Sequence, residues 1–190
     1  MIKGIIFDCF GVLTIDVWRA FCETLPDTVD LKAVRDLNHA FNSGFISKSE
    51  FFDGVAEQTG KRPPDIDGAN YSLSKNDQLI GYISSLKPRY KTAIMSNISS
   101  DWITRELLTT KEQKLFDEMI FSYRVNMIKP DKRMYELACN KLDVEPHEAI
   151  MIDDVTGNVT AAHQLGMRGI VYDNFEQFKS ELEALLDSKS

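Results

Sequence analysis

Four short stretches of the chain carry residue types that could do chemistry together. Asp8 closes the apolar run of "KGIIFDCFGVLT", Ser96 and Asn97 close "IMSN", Lys129 stands in "NMIKPD", and Asp153 and Asp154 follow "AIMI". A carboxylate at the end of an apolar strand needs a partner, because burying an unpaired charge is costly. Carboxylates gathered in one place repel, and one takes up a proton unless a cation sits between them. A divalent metal resolves that conflict. Mg2+ prefers oxygen ligands and keeps several waters, so carboxylates, a backbone carbonyl and a substrate phosphate oxygen suit it. With the repulsion masked, an aspartate can attack a phosphate dianion. A lysine and a serine would then hold the phosphoryl oxygens, where charge builds in the transition state.

These residues converge only if the elements carrying them are arranged for it. Apolar runs alternate with helix-period segments, the pattern of an α/β, Rossmann-like parallel sheet covered by helices on both faces. Strands are expected at Gly4 to Phe7, Thr92 to Met95, Glu118 to Phe121, Ala149 to Ile152 and Gly169 to Tyr172. Helices are expected at Asp101 to Leu108, Asp131 to Leu142, Gly157 to Leu165 and Phe175 to Leu186. In such a sheet ligands bind beyond the carboxyl ends of the strands, where the strand order reverses. Asp8, Ser96, Asn97, Asp153 and Asp154 all fall there, and Lys129 follows the third strand by a short loop.

The first two strands lie too far apart for a simple crossover, which needs about a dozen residues. Something is inserted between them. "LKAVRDLNHAFNSG" reads as a helix ending at glycine, and "SKSEFFDGVAEQTG" opens on a Ser47-x-x-Glu50 capping box and ends on Gly60. The organisation expected is therefore an α/β core, residues 1–14 and 77–190, with a small all-helical cap, residues 15–76. A Pro/Gly/Asn-containing return, Arg62 to Asn76, and a helix from Asp77 to Leu86 lead back into the core.

Composition narrows the partners. A chain of 190 residues that is 43% hydrophobic can bury a full-sized core. Its formal net charge of -7, with no basic block, argues against nucleic acid. No run of about 18 apolar residues exists, so no membrane span is expected. Three cysteines, Cys9, Cys22 and Cys139, show neither disulfide nor zinc spacing and fit a reducing cytoplasm. A small-molecule phosphorylated substrate, met by a monomer or homodimer, is the partner expected.

In order, the four stretches resemble the motifs of the haloacid dehalogenase superfamily: "IIFDCFGVLT", "IMSN", "IKPDKRMY" and "MIDDVTGNVTAAHQLGM". The resemblance covers essentially the whole chain, helical cap included, and is nearest to the sugar-phosphate phosphatase and epoxide-hydrolase N-terminal phosphatase branch. It implies a Mg2+-dependent phosphatase with Asp8 as nucleophile. It further implies that Ser96 and Asn97 bind phosphate, that Lys129 steadies nucleophile and phosphoryl group, and that Asp154, with Asp153 beside it, ligates Mg2+ together with Asp8 and the backbone carbonyl of Phe10.

Phe10 is also where this sequence departs from that family. Phosphatases of this kind usually carry a second aspartate there, which protonates the leaving group, and phenylalanine cannot transfer a proton. General acid-base help contributes about 10²- to 10⁴-fold. Either the leaving group departs unaided, as from a sugar 1-phosphate or an acyl phosphate, or a substitute acid such as Asp16 or His39 serves. An aromatic at this place is also a feature of the metal-free 2-haloacid dehalogenases, which lack the paired acids kept here as Asp153 and Asp154. A third possibility is a catalytically weak module that only binds phosphate and metal.

Each residue also has a plainer reading. Asp153 and Asp154 could cap a helix, Ser96 and Asn97 could form a turn, and Lys129 could be a solvated loop residue. Their combination in order favours the site. Strand alternation turns Cys9 away from Asp8 and into packing, and Gly11 serves the turn. His147 and His163 read as surface residues. Trp18, Phe21, Phe41, Phe45, Phe51 and Phe52 read as cap packing.

Overall fold

The computed structural model describes residues 1–65 and 75–187. The strands are β1 (Gly4–Phe7), β2 (Lys91–Ser96), β3 (Glu118–Phe121), β4 (Ala149–Asp153) and β5 (Arg168–Val171). They form one parallel sheet in the order β3-β2-β1-β4-β5. Each expected strand is present, with ends displaced by at most one residue. Short apolar runs ending in polar residues mark parallel strands buried on both faces, and β1 and β4 are buried along their whole length.

The faces are divided by alternation. Ile5 and Phe7 of β1 join a cluster with the helices α4 (Asp77–Leu86) and α9 (Phe175–Asp187). Ile6 joins the opposite cluster with α7 (Lys132–Leu142) and α8 (Thr156–Gln164). Cys9 is fully buried in the first cluster, as alternation requires. Among the described residues no helix is long and apolar enough to cross a membrane.

Between β1 and α4 the described residues form three helices, α1 (Val17–Glu23), α2 (Leu31–Asn42) and α3 (Lys48–Thr59). Ser47 and Glu50 form the capping box at the head of α3, and Gly60 ends it in the left-handed region at φ 68°. Phe51, Phe52 and Val55 make a small core of their own, flanked by Trp18, Phe21, Leu37, Phe41 and Ile46. Phe45 does not join it: at 82% exposure it is a correction to the expected packing set, since it lies on the turn after α2 rather than on a helix face. Hydrogen bonds tie the insertion to the core. The Asn76 N–H donates to the Leu13 carbonyl (2.8 Å), and the Ser122 hydroxyl donates to the Asn42 carbonyl (2.7 Å). Residues 66–74 of the expected return lie outside the described residues.

The segment expected as a helix over Asp101 to Leu108 is instead a single wide turn of π type, Ile103–Leu107, followed by one α-turn, α5 (Thr110–Gln113). Trp102, Ile103, Leu107 and Leu108 are all buried there, and that apolar density gives the helical pattern without the length to sustain a helix. A further single turn, α6 (Ser122–Val125), follows β3.

Candidate active site

The register of the sheet brings two acids together. Phe7 of β1 lies beside Ile152 of β4, so Asp8 and Asp153 leave adjacent strands side by side. Lys129 sits between them, its Nζ 2.8 Å from Asp8 Oδ1 and 2.6 Å from Asp153 Oδ2. All three are buried. Lys129 is aimed by Asn97, whose side-chain amide donates to the Lys129 carbonyl (3.0 Å) and accepts from its N–H (2.8 Å). Asp8 Oδ1 also accepts from the Cys9 N–H (2.6 Å). Its second oxygen makes no hydrogen bond among the described residues, and Asp8 lines a cavity.

Asp153 is held on both oxygens. Asn158 on the first turn of α8 donates to each (3.0 Å), and the Val155 N–H donates to Oδ1 (2.9 Å). The Tyr135 hydroxyl in turn donates to the Asn158 carbonyl (3.0 Å). So Asp153 does the work of a helix cap as well as that of a counter-ion, while Val155, the residue at the cap position, makes no side-chain cap bond.

Asp154 points elsewhere. Its Oδ2 pairs with the Arg19 guanidinium, which arrives from α1 of the insertion. Gly11, at φ 81°, packs against the same carboxylate so closely that any Cβ there would collide with it. The turn therefore needs glycine for its backbone angle and again for this approach. One carboxylate oxygen from each of Asp8, Asp153 and Asp154 lies within 4.8 Å of the others.

The electrostatics follow from burial. Burial pushes the Asp8 carboxyl well above the usual carboxylate range; Lys129 pulls it down and Asp153 adds to the rise. Burial also works against the Lys129 ammonium, but Asp153 and Asp8 outweigh it and hold Lys129 above its ordinary value. Asp154 is raised by burial against the opposing pull of Arg19. Three acids thus face one buried cation and one half-exposed arginine. An all-oxygen donor set with surplus negative charge fits a hard divalent cation.

Above the acids lies a cavity of about 220 Å³ between the sheet and the insertion. Asp8, Asn97, Lys129, Asp154 and Asn158 line its floor. Val17, Trp18, Phe41, Phe51 and Phe52 line its roof. Ser96 does not reach it: the residue is fully buried at the end of β2, and its hydroxyl has no hydrogen-bond partner among the described residues. The Phe10 ring lines the cavity and stacks on Trp102, centroids 5.9 Å apart and planes 18° from parallel. Of the two substitute acids, Asp16 lines the cavity, whereas His39 is exposed on α2 and does not. His147 and His163 are exposed.

Sequence reasoning missed two residues of this site. Asn158 falls five positions after Asp153, the interval from a strand end into the first turn of the next helix, and that interval could have found it. Nothing in the sequence marks Arg19, whose partner lies on the far side of the insertion.

A family profile described as haloacid dehalogenase-like hydrolase matches residues 67–172, more than half of the chain. The chain belongs to this family. Among curated relatives, the chain is 22% identical over 211 residues to D-ribitol-5-phosphate phosphatase of Bacteroides thetaiotaomicron, covering 99% of this chain and 100% of the relative. It is 27% identical over 118 residues to (S)-2-haloacid dehalogenase 1 of a Pseudomonas species, covering 62% of this chain and 52% of that one. Other relatives are much longer, and the chain spans only 9%, 37% and 25% of three of them. Its fold is that of a predicted HAD-like family hydrolase from Porphyromonas gingivalis, with TM-score 0.73, 24% identity and full coverage of both chains. A HAD family enzyme from Bacteroides thetaiotaomicron, solved in complex with magnesium and inorganic phosphate, matches with TM-score 0.63 and 19% identity over 94% of this chain and 99% of that one.

Proposed function

We propose that this hydrolase is a Mg2+-dependent phosphatase of small phosphorylated metabolites, working through an aspartyl-phosphate at Asp8. The observation that carries this reading is the buried ammonium of Lys129 between Asp8 and Asp153, with the Asp154 carboxylate completing an oxygen cluster. Asp8, the Phe10 carbonyl and Asp154 would hold the metal, with Asp153 beside them. Bound there, Mg2+ supplies the positive charge that lets a phosphate dianion approach three acids.

The chain's own residues account for the rest. Lys129 keeps Asp8 oriented through one oxygen and leaves the other free to attack phosphorus. Its remaining proton and the backbone at Asn97, which lines the cavity, are the donors for the phosphoryl oxygens, where charge accumulates. The cavity is smaller than the roughly 300–1,000 Å³ of drug-sized sites, which favours a small substrate. Because Phe10 offers no proton, the reading favours leaving groups that depart unaided, sugar 1-phosphates and acyl phosphates among them.

Two observations favour a second reading. An aromatic beside the nucleophile and a haloacid dehalogenase relative suit halide displacement by Asp8. Phosphate release with Mg2+ and with EDTA, alongside chloride release from 2-chloropropionate, separates the two. The phosphatase reading expects Mg2+-dependent phosphate release that Asp8→Asn abolishes. Full activity in Asp8→Asn, or chloride release undiminished by EDTA, overturns it. Binding of Mg2+ and phosphate without any turnover identifies a binding module instead.

A further inference from the structure

We infer that the substrate of this site is an aryl phosphate, a monoester whose leaving group is a phenolic oxygen on a flat apolar body. This rests on the phosphatase reading and narrows it from two independent observations, one at the leaving-group position and one on the wall that faces it.

The first concerns the proton. The described titratable side chains lining the cavity are Asp8, Asp16, Lys48, Asp65, Lys129 and Asp154. Asp8, Lys129 and Asp154 belong to the charged floor. Lys48 and Asp65 form an ion pair with each other at 2.7 Å. Asp16 accepts from the Arg19 N–H (2.9 Å) on one oxygen as the cap of α1, and its other oxygen lies 3.8 Å from the Arg19 guanidinium. Position 10 presents a hydrocarbon ring fixed against Trp102. No described group is therefore placed to hand a proton to the departing oxygen. A phenol ionises near pH 10, as tyrosine does, whereas an alkoxide leaves against a value near that of water, about 15.7. That difference of roughly five to six units compensates for a missing acid worth about 10²- to 10⁴-fold.

The second concerns the body of the substrate. Trp18, Phe41 and Phe51 form a continuous aromatic surface: Phe41 stacks on Phe51 at 4.6 Å and 7°, and Trp18 meets Phe51 at 5.5 Å. Some of the polar side chains beside them are paired with one another. Asn42 donates to Asn38 (3.3 Å), and Lys48 is paired with Asp65. A polyol would need hydrogen bonds from this wall in place of those it leaves in water, whereas an aromatic ring needs the rings already there.

The chemistry balances without an added reagent. Asp8 Oδ2 attacks phosphorus, the bond from phosphorus to the aryl oxygen breaks, and the electron pair leaves on that oxygen as a phenolate. Water then attacks the phosphorus, the bond to Asp8 breaks to restore the carboxylate, and one proton of that water neutralises the phenolate. The products are a phenol and hydrogen phosphate.

The test compares phenyl, cyclohexyl, glucose 1- and acetyl phosphates on the wild-type protein, each with Mg2+ and with EDTA. Phenyl and cyclohexyl phosphate share an apolar body and differ in leaving group; glucose 1-phosphate has a ring of similar size and a polar surface. The expected result is a kcat/KM for phenyl phosphate at least 10²-fold above that for cyclohexyl phosphate, with KM values for both at least fivefold below those for the glucose and acetyl esters. Equal turnover of phenyl and cyclohexyl phosphate, or a lower KM for the sugar or acyl ester, overturns the aryl assignment and leaves the phosphatase standing. Absence of Mg2+-dependent phosphate release from all four overturns the phosphatase reading and the assignment with it.

Discussion

Replacing Lys129 with methionine tests whether the site is organised around a buried cation. Methionine keeps an unbranched side chain, one atom shorter, and removes the charge and its donors. Lys129 is buried and holds two carboxylates at 2.8 and 2.6 Å, so its loss leaves Asp8 and Asp153 adjacent and uncompensated. Removing one partner of a buried pair costs about 3–5 kcal/mol. In a domain of this size each kcal/mol moves Tm by about 2–4 °C, so a fall of roughly 6–20 °C is expected in EDTA at pH 8. The pH dependence has a definite sign. Lys129, held above its ordinary value, stays charged throughout the pH 5–8 range, so its contribution in the wild type is constant there. Asp8 is a carboxyl raised by burial. Without the opposing ammonium it rises further, and the folded state then binds a proton more tightly than the unfolded chain does. Stability gained that way is present at low pH and lost as pH climbs above the ordinary carboxylate range. The variant should therefore lose more at pH 8 than at pH 5, and Mg2+ should restore part of the loss. Scanning calorimetry at both pH values reads this directly. A Tm within 2 °C of wild type at pH 8, or a larger loss at pH 5, would refute a network built on Lys129.

Three further substitutions probe neighbouring parts of the site. Phe10→Asp restores a proton donor beside Asp8 and should raise kcat for cyclohexyl phosphate by about 10²-fold, while losing the stack on Trp102 lowers Tm by about 2–6 °C; unchanged alkyl turnover would show that position 10 does not reach the leaving group. Arg19→Ala frees Asp154 from its guanidinium, and because that arginine is 45% exposed the pair is worth about 1 kcal/mol at most, so Mg2+ affinity by calorimetric titration should tighten by up to about fivefold. Weaker Mg2+ binding would instead make Arg19 a support for the metal site. Gly11→Ala forces a side chain into the left-handed region and into the Asp154 carboxylate, so Mg2+ binding should fall with a stability loss of about 1–3 kcal/mol, and a variant that melts and titrates like wild type would mean the turn relaxes freely.

How much of this was legible in the sequence depended on how local each signal was. β1 and β4 are apolar runs that stop at an acid, and their ends could be read because nothing distant sets them. The same is true of α3, whose capping box and terminal glycine are both within its own length. The turn at Ile103–Leu107 could not be read: its apolar residues follow a helical period, yet their packing under the sheet's edge decides that only one wide turn forms. Single turns such as α5 and α6 carry too few residues to show a period at all. At the site, Asp8, Lys129, Asp153 and Asp154 could be placed together from strand topology alone, because the carboxyl ends of parallel strands share one edge. Asn97 was visible as a residue at that edge, but its two hydrogen bonds to the Lys129 peptide were not, since they span 32 positions.

Phe10 shows most clearly where sequence and structure divide the argument. From the sequence, the residue is a deficit: a proton donor is missing beside the nucleophile. In the fold it is also an addition, because the ring completes a stack with Trp102 and extends the apolar lining from the sheet towards the aromatic roof. A smaller residue would have removed the acid equally well. What it would not have done is fill the space over Trp102, which is itself buried in the core beneath the site. The absence of a proton donor and the presence of an apolar surface therefore come from one residue, and on the proposed phosphatase reading both bear on the same oxygen, the one that leaves.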